Sequence, residues 1–92
     1  MNIVADMSLY PLKDGPVPTI ISFIREMQQQ DGIEIVTNQL SSQISGEFEA
    51  VTAAVNHCMR KAMESKDTVV LVVKYLNISR ELDRAPTLTP DA

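Results

Sequence analysis

Three residues at alternate positions near the N-terminus, Asp6, Ser8 and Tyr10, offer a carboxylate, a hydroxyl and an aromatic ring. In an extended chain alternate side chains share a face, so the three point the same way. Further along, Asn38, Ser41, Ser42 and Gln43 form a second polar group. Hydroxyls and amides both donate and accept hydrogen bonds, which suits a small heteroaromatic ligand. Tyr10 adds a ring for stacking, and Asp6 or Glu47 a counter-charge for a cation. The plain alternative is a polar sheet face that is solvated or buried in a subunit contact.

Other candidate chemistry fails on spacing. His57 and Cys58 are adjacent, and neighbours in a helix point about 100° apart, so they do not converge on one metal ion or one substrate atom. Cys58 falls on an apolar stripe and His57 off it, which predicts a core thiol beside a surface imidazole. Glu47 and Glu49 open a helix, where the dipole accounts for them. No Cys-x-x-Cys, no glycine-rich loop before a helix and no placeable Ser/His/Asp set occurs. The sequence therefore predicts neither catalytic residues nor a metal site.

The elements that must hold the polar groups follow from periodicity. Ile3, Ala5, Met7 and Leu9 alternate with Val4, Asp6, Ser8 and Tyr10, which predicts a strand with one buried face, ended by Pro11. After the turn formers Lys13-Asp14-Gly15-Pro16, the residues Ile20, Phe23, Ile24 and Met27 recur at helical spacing, and Gly32 stops the helix. Ile33–Asn38 and Leu40–Gly46 read as two strands of a hairpin. In the second, Ser42 shares a face with Leu40 and Ile44, so its hydroxyl needs a partner if that face is buried. Phe48, Val51, Val55, Cys58, Met59, Ala62 and Met63 trace a second helical stripe, and Thr68–Asn77 is a strongly apolar last strand.

The order is βαββαβ. Right-handed crossovers then put both helices on one face of an antiparallel sheet, an α+β fold of ferredoxin-like type with strand order 4-1-3-2. Residues 1–78 form the single domain expected of 92 residues, and residues 79–92 a tail. The last strand is an edge with valines on both sides, Val69, Leu71 and Val73 against Val70 and Val72. An edge of that kind invites association, so a homodimer or homotetramer is expected.

Composition narrows the partners. Apolar residues at 45% and charged residues at 22% are ordinary for a folded domain. The net charge of −4 disfavours nucleic acid and anionic lipid. No apolar run reaches the ~20 residues that span a bilayer, and the lone cysteine suits a reducing compartment, so a cytoplasmic protein is expected.

Ser8-Leu9-Tyr10-Pro11-Leu12 and Leu40-Ser41-Ser42-Gln43-Ile44-Ser45-Gly46 carry a family likeness. At these motifs the chain resembles the YkoF-like thiamine-binding family, and the likeness extends more loosely to about residue 77. The resemblance implies a ferredoxin-like fold, oligomerisation, and non-enzymatic binding of thiamine or its hydroxymethylpyrimidine moiety, as a carrier, buffer or sensor. Relatives commonly have Ser-Thr where this chain has Ser41-Ser42, so the hydroxyl implied to hold the pyrimidine falls on Ser42. Serine keeps the donor and loses a methyl contact.

The competing reading is a structural or regulatory module that binds its own copies and no small molecule. RNA-recognition modules of this fold carry aromatics on their central strands, and Leu40–Gly46 has none. An acylphosphatase-like enzyme needs an arginine in the loop after the first strand, where this chain has Leu12-Lys13-Asp14-Gly15-Pro16.

Overall fold

Alternation at the N-terminus is realised as strand β1 (Asn2–Pro11), in which Ile3, Ala5, Met7 and Leu9 are all buried, although Val4, expected on the opposite side, is buried as well. The structure, a computed structural model, describes residues 1–77, 81, 82, 84–86 and 88. The tail expected from Ser79 onward lies largely outside the described residues. After β1 come α1 (Val17–Gln28), β2 (Ile33–Thr37), β3 (Ser42–Glu47), α2 (Phe48–Met63) and β4 (Val69–Leu76). The strands form one antiparallel sheet in the order β2-β3-β1-β4, the ferredoxin-like arrangement predicted from the order of elements.

Both helices pack on the face that carries the odd-numbered residues of β1. Phe23 and Met27 of α1 and Val51, Ala54, Val55 and Cys58 of α2 close on Ile3, Ala5, Met7, Leu9 and Ile44. Burying a side chain the size of leucine or methionine contributes about 1.5–3 kcal/mol, so this one layer dominates stability. The apolar stripe of α2 is narrower than its sequence suggests: Phe48 and Met63 at its two ends are exposed, while Ala54, small enough to sit close to the sheet, is buried. On β4 the expected division holds, with Val69, Leu71 and Val73 packed on the core and Val70 and Val72 turned outward.

Local signals set the helix ends. Pro16 is the N-cap of α1 and Pro18 sits in its first turn, where the missing N–H costs no helical bond. Glu49 in the first turn of α2 and Arg60 and Lys61 in its last complement the dipole. Gly32, at φ +76°, makes the left-handed turn between α1 and β2. Gly46 is required for a different reason: a Cβ there would stand 2.6 Å from the Gly32 carbonyl oxygen.

The hairpin corrects the sequence reading. Asn38 leaves β2, and Leu40 is not in β3 facing the core with Ser42 and Ile44; it projects from a turn and is 88% exposed. The cause is the Asn38 side chain. Its Oδ1 accepts the N–H groups of Leu40 (2.9 Å) and Ser41 (3.1 Å), while the Asn38 main-chain N–H donates to the Ser41 carbonyl (3.0 Å). The side chain thus takes the Leu40 and Ser41 N–H groups out of strand pairing, and the main-chain bond closes the hairpin with Leu40 in its turn. No helix among the described residues is long and apolar enough to cross a membrane.

Candidate functional site

The short hairpin leaves a gap in the sheet. β3 pairs with β1 only from Asn2 to Met7, where the partner is Ser42, while β4 runs alongside β1 from Val4 to Pro11. Residues 8–11 of β1 therefore have a strand on one side only. Main-chain groups of an antiparallel strand turn alternately to its two sides. Leu12 donates to the Thr68 carbonyl at 2.9 Å on the β4 side, so the even positions pair with β4 and the N–H and C=O of buried Leu9 face the gap.

A cleft of about 240 Å³ occupies this gap. Its walls are Met7 and Leu9 of β1, Ile20, Phe23 and Ile24 of α1, and Thr37 and Ser42 at the hairpin base; residues 38–41 form its lip with Ser8 and Tyr10. No aspartate, glutamate, lysine, arginine or histidine is among the described residues that line it. It is a neutral site with hydroxyl, amide and aromatic groups set in apolar walls, a composition that suits an uncharged heterocycle.

Of the eight residues singled out from sequence, Ser8, Tyr10, Asn38, Ser41 and Ser42 are brought together at this cleft. Ser42 is only 5% exposed, and its hydroxyl lies 2.9 Å from that of Thr37, its cross-strand partner in the register. Ser8 donates weakly to the Leu40 carbonyl at 3.4 Å, joining β1 to the lip. Tyr10 is half exposed, leaving its ring open to a neighbour. Asn38 shapes the turn through the bonds described above, so its contribution is to position Ser41 and Leu40.

Asp6, Gln43 and Glu47 do not line the cleft. Asp6 and Gln43 face each other on the open side of the sheet, where the Gln43 amide donates to Asp6 (3.0 Å) and to the Ser41 hydroxyl (2.6 Å). Glu47 pairs with Asn2 at the opposite end of β1, about 20 Å from Ser8 at ~3.3 Å per residue. Its carboxylate accepts a 2.8 Å hydrogen bond from the Met1 amine, which raises the basicity of that amine. Among the described residues, the expected counter-charge for a cation is therefore absent from the cleft wall. Thr37 escaped the sequence reading; its signal was the hairpin register, hidden until the turn length is known.

The adjacent His57 and Cys58 diverge as their spacing predicts. His57 bonds Glu26 of α1 at 2.8 Å, and Cys58 packs with its sulfur 3.9 Å from that of Met27. Burial pushes the Cys58 thiol up to about 11, far from the range of a nucleophile.

The sequence pattern of the YKOF-related family matches residues 3–79. Among solved structures, a Thermotoga maritima protein named a candidate thiamine biosynthesis/salvage protein superposes with a TM-score of 0.70 at 19% identity, over 82% of each chain. A Streptococcus pneumoniae protein gives 0.77 at 22% identity, covering 90% of this chain and 92% of that one. A hypothetical protein of Methanocaldococcus jannaschii gives 0.70 at 20%, covering 95% and 88%. At these identities the superpositions establish the fold. No curated protein sequence gives a significant match.

Proposed function

The chain belongs to the YKOF-related family, and from that premise we propose that it binds thiamine, or the hydroxymethylpyrimidine part of it, without catalysing a reaction on it. The observation that carries this reading is the neutral cleft at the gap in the sheet, where Ser42, Thr37 and the Leu9 main chain offer donors and acceptors between apolar walls. The thiamine biosynthesis/salvage description of the Thermotoga maritima protein supports the same vitamin. At about 240 Å³ the cleft is smaller than the ~300–1,000 Å³ usual for a drug-sized ligand. It encloses one ring. The pyrimidine lies inside, and a thiazolium or a phosphate stays at the mouth beside Tyr10, where water still solvates its charge. The acidic surface of the chain, at net charge −4, favours the approach of a cation.

Calorimetry and thermal shift with thiamine, its phosphates and free hydroxymethylpyrimidine test the proposal. A ligand at a hundred times its dissociation constant raises stability by about 2.7 kcal/mol, which reads as a clear upward shift of the melting temperature. No shift with any of them ends the vitamin-binding reading. The outward valines of β4, Val70 and Val72, each 44% exposed, favour a second element of function: association of copies into a dimer or tetramer. Light scattering on the purified chain tests it, and a monomer at micromolar concentration refutes it. Oligomers without any ligand-induced stabilisation would instead favour an interaction module.

A further inference from the structure

We infer that Thr37 is a recognition residue, and that the Thr37–Ser42 hydroxyl pair reads a donor–acceptor ring edge in either polarity. The inference rests on the proposal that the cleft holds a neutral ring. The two hydroxyls carry two protons, and the 2.9 Å bond between them uses one. If Thr37 donates to Ser42, the Ser42 proton is left for the ligand and the Thr37 oxygen is left to accept. If Ser42 donates, the roles exchange. Either way the pair presents one donor beside one acceptor, and rotating two O–H bonds exchanges them without moving a heavy atom.

The direction of the bond between the two hydroxyls is not pinned. Among the described residues neither hydroxyl has a second partner, and the cleft carries no charged group to orient them. A ring edge met by an arginine, a carboxylate or a main-chain N–H faces fixed polarity, as the Leu9 main chain gives to whatever edge it meets in the same cleft. Reversing such an edge sets two like groups facing each other, a mismatch worth roughly tenfold to a hundredfold in affinity. The hydroxyl pair escapes that mismatch. Its ligand class is thus a neutral planar heterocycle with a hydrogen-bond donor next to an acceptor, in either order. A 4-aminopyrimidine presents a ring nitrogen acceptor beside an amino donor, and the matching 4-pyrimidinone an N–H donor beside a carbonyl acceptor.

The test is calorimetry on the full chain with 4-amino-5-hydroxymethyl-2-methylpyrimidine and with its 4-oxo counterpart. The expected dissociation constants agree within about fivefold. Thr37→Val weakens both by a similar factor, roughly fivefold to tenfold for one lost hydrogen bond, and Thr37→Ser, which keeps the hydroxyl, restores both. Thermal unfolding of each variant without ligand confirms that it folds; a valine suits the β2 edge. If the amino compound binds and the oxo compound is more than fiftyfold weaker, the polarity is fixed and the inference falls while the binding proposal stands. An unchanged affinity in Thr37→Val removes that residue from the site and overturns the inference too. Failure of both compounds to bind overturns the inference together with the reading of the cleft.

Discussion

Helix α1 has a depression on either flank, and the two are built on different terms. Toward the hairpin lies the neutral cleft of about 240 Å³. Toward α2 lies a larger groove of about 320 Å³, lined by Glu26, Lys61, Asp67, Cys58 and Phe23 among others. By size and by charge the second is the more conspicuous. Its ionic groups, however, are already engaged with one another or with the surrounding surface. Glu26 accepts from His57 at 2.8 Å and from Lys61 at 3.1 Å, and Asp67 accepts from Lys13 at 3.1 Å. The Ser65 hydroxyl turns back to the Ala62 carbonyl at 2.7 Å. In the smaller cleft the hydroxyl pair keeps one donor and one acceptor unengaged. Residual hydrogen-bonding capacity, more than volume, separates a binding site from the seam between two packed helices.

The sharpest way to break the contrast is to remove the residue both depressions share. Phe23 is 7% exposed and lines each of them. Phe23→Ala should cost about 3–5 kcal/mol of stability, read in denaturant melts, and should abolish ligand binding by collapsing the cleft wall. If binding persists, the ring sits elsewhere. Next in size is the reactivity of Cys58 on the floor of the helix groove. With the thiol pushed to about 11 from an ordinary 9.0, the thiolate fraction near neutral pH falls about a hundredfold, so alkylation should be slow in the native chain and fast after unfolding. Rapid native labelling would mean that the groove is open down to the sulfur.

A smaller effect separates the two sites directly. Ser42→Ala should weaken the ligand by about 1 kcal/mol, roughly fivefold, with little change in any property of the helix groove. The same titration on Lys61→Ala should leave affinity unchanged; a loss there would move the site to the helices. The smallest effect is the acid response of the helix clasp. Hydrogen bonds from His57 and then Lys61 hold the Glu26 carboxyl below the ordinary carboxylate range. Its folded value is the lower one, so its contribution is present above the unfolded value and is lost as pH falls through the folded one. Glu26→Gln should therefore flatten the low-pH end of a stability profile while leaving binding at neutral pH intact.

The layers of the fold were legible from periodicity, because burying one face of a strand or helix forces apolar residues onto a fixed spacing. Ile3, Ala5, Met7 and Leu9 declared the inner face of β1, and Phe23 and Met27 that of α1. The site was legible only as a set of residue types. What hid its geometry was one side chain. By accepting two main-chain N–H groups, Asn38 ends β2 at Thr37 and delays β3 until Ser42, which expels Leu40 and sets Thr37 opposite Ser42. Strand propensity does not weigh such a bond, so the run from Leu40 to Gly46 looked continuous. The same limit applies to Asp6 and Glu47, whose suitability as charges said nothing about which side or which end of the sheet they occupy.

The overhang of β1 beyond β3 also bears on how this architecture changes over time or under redesign. The aperture is cut by the length of a hairpin, not carved by bulky neighbours. Two more paired residues on each arm would slide new backbone into the space the ring needs and seal it, with every core contact kept. Side chains on the rim can meanwhile be exchanged without touching the hydrophobic layer. Loop length thus serves as an on–off dial for capture of a guest, and rim chemistry as a separate control over which guest is chosen.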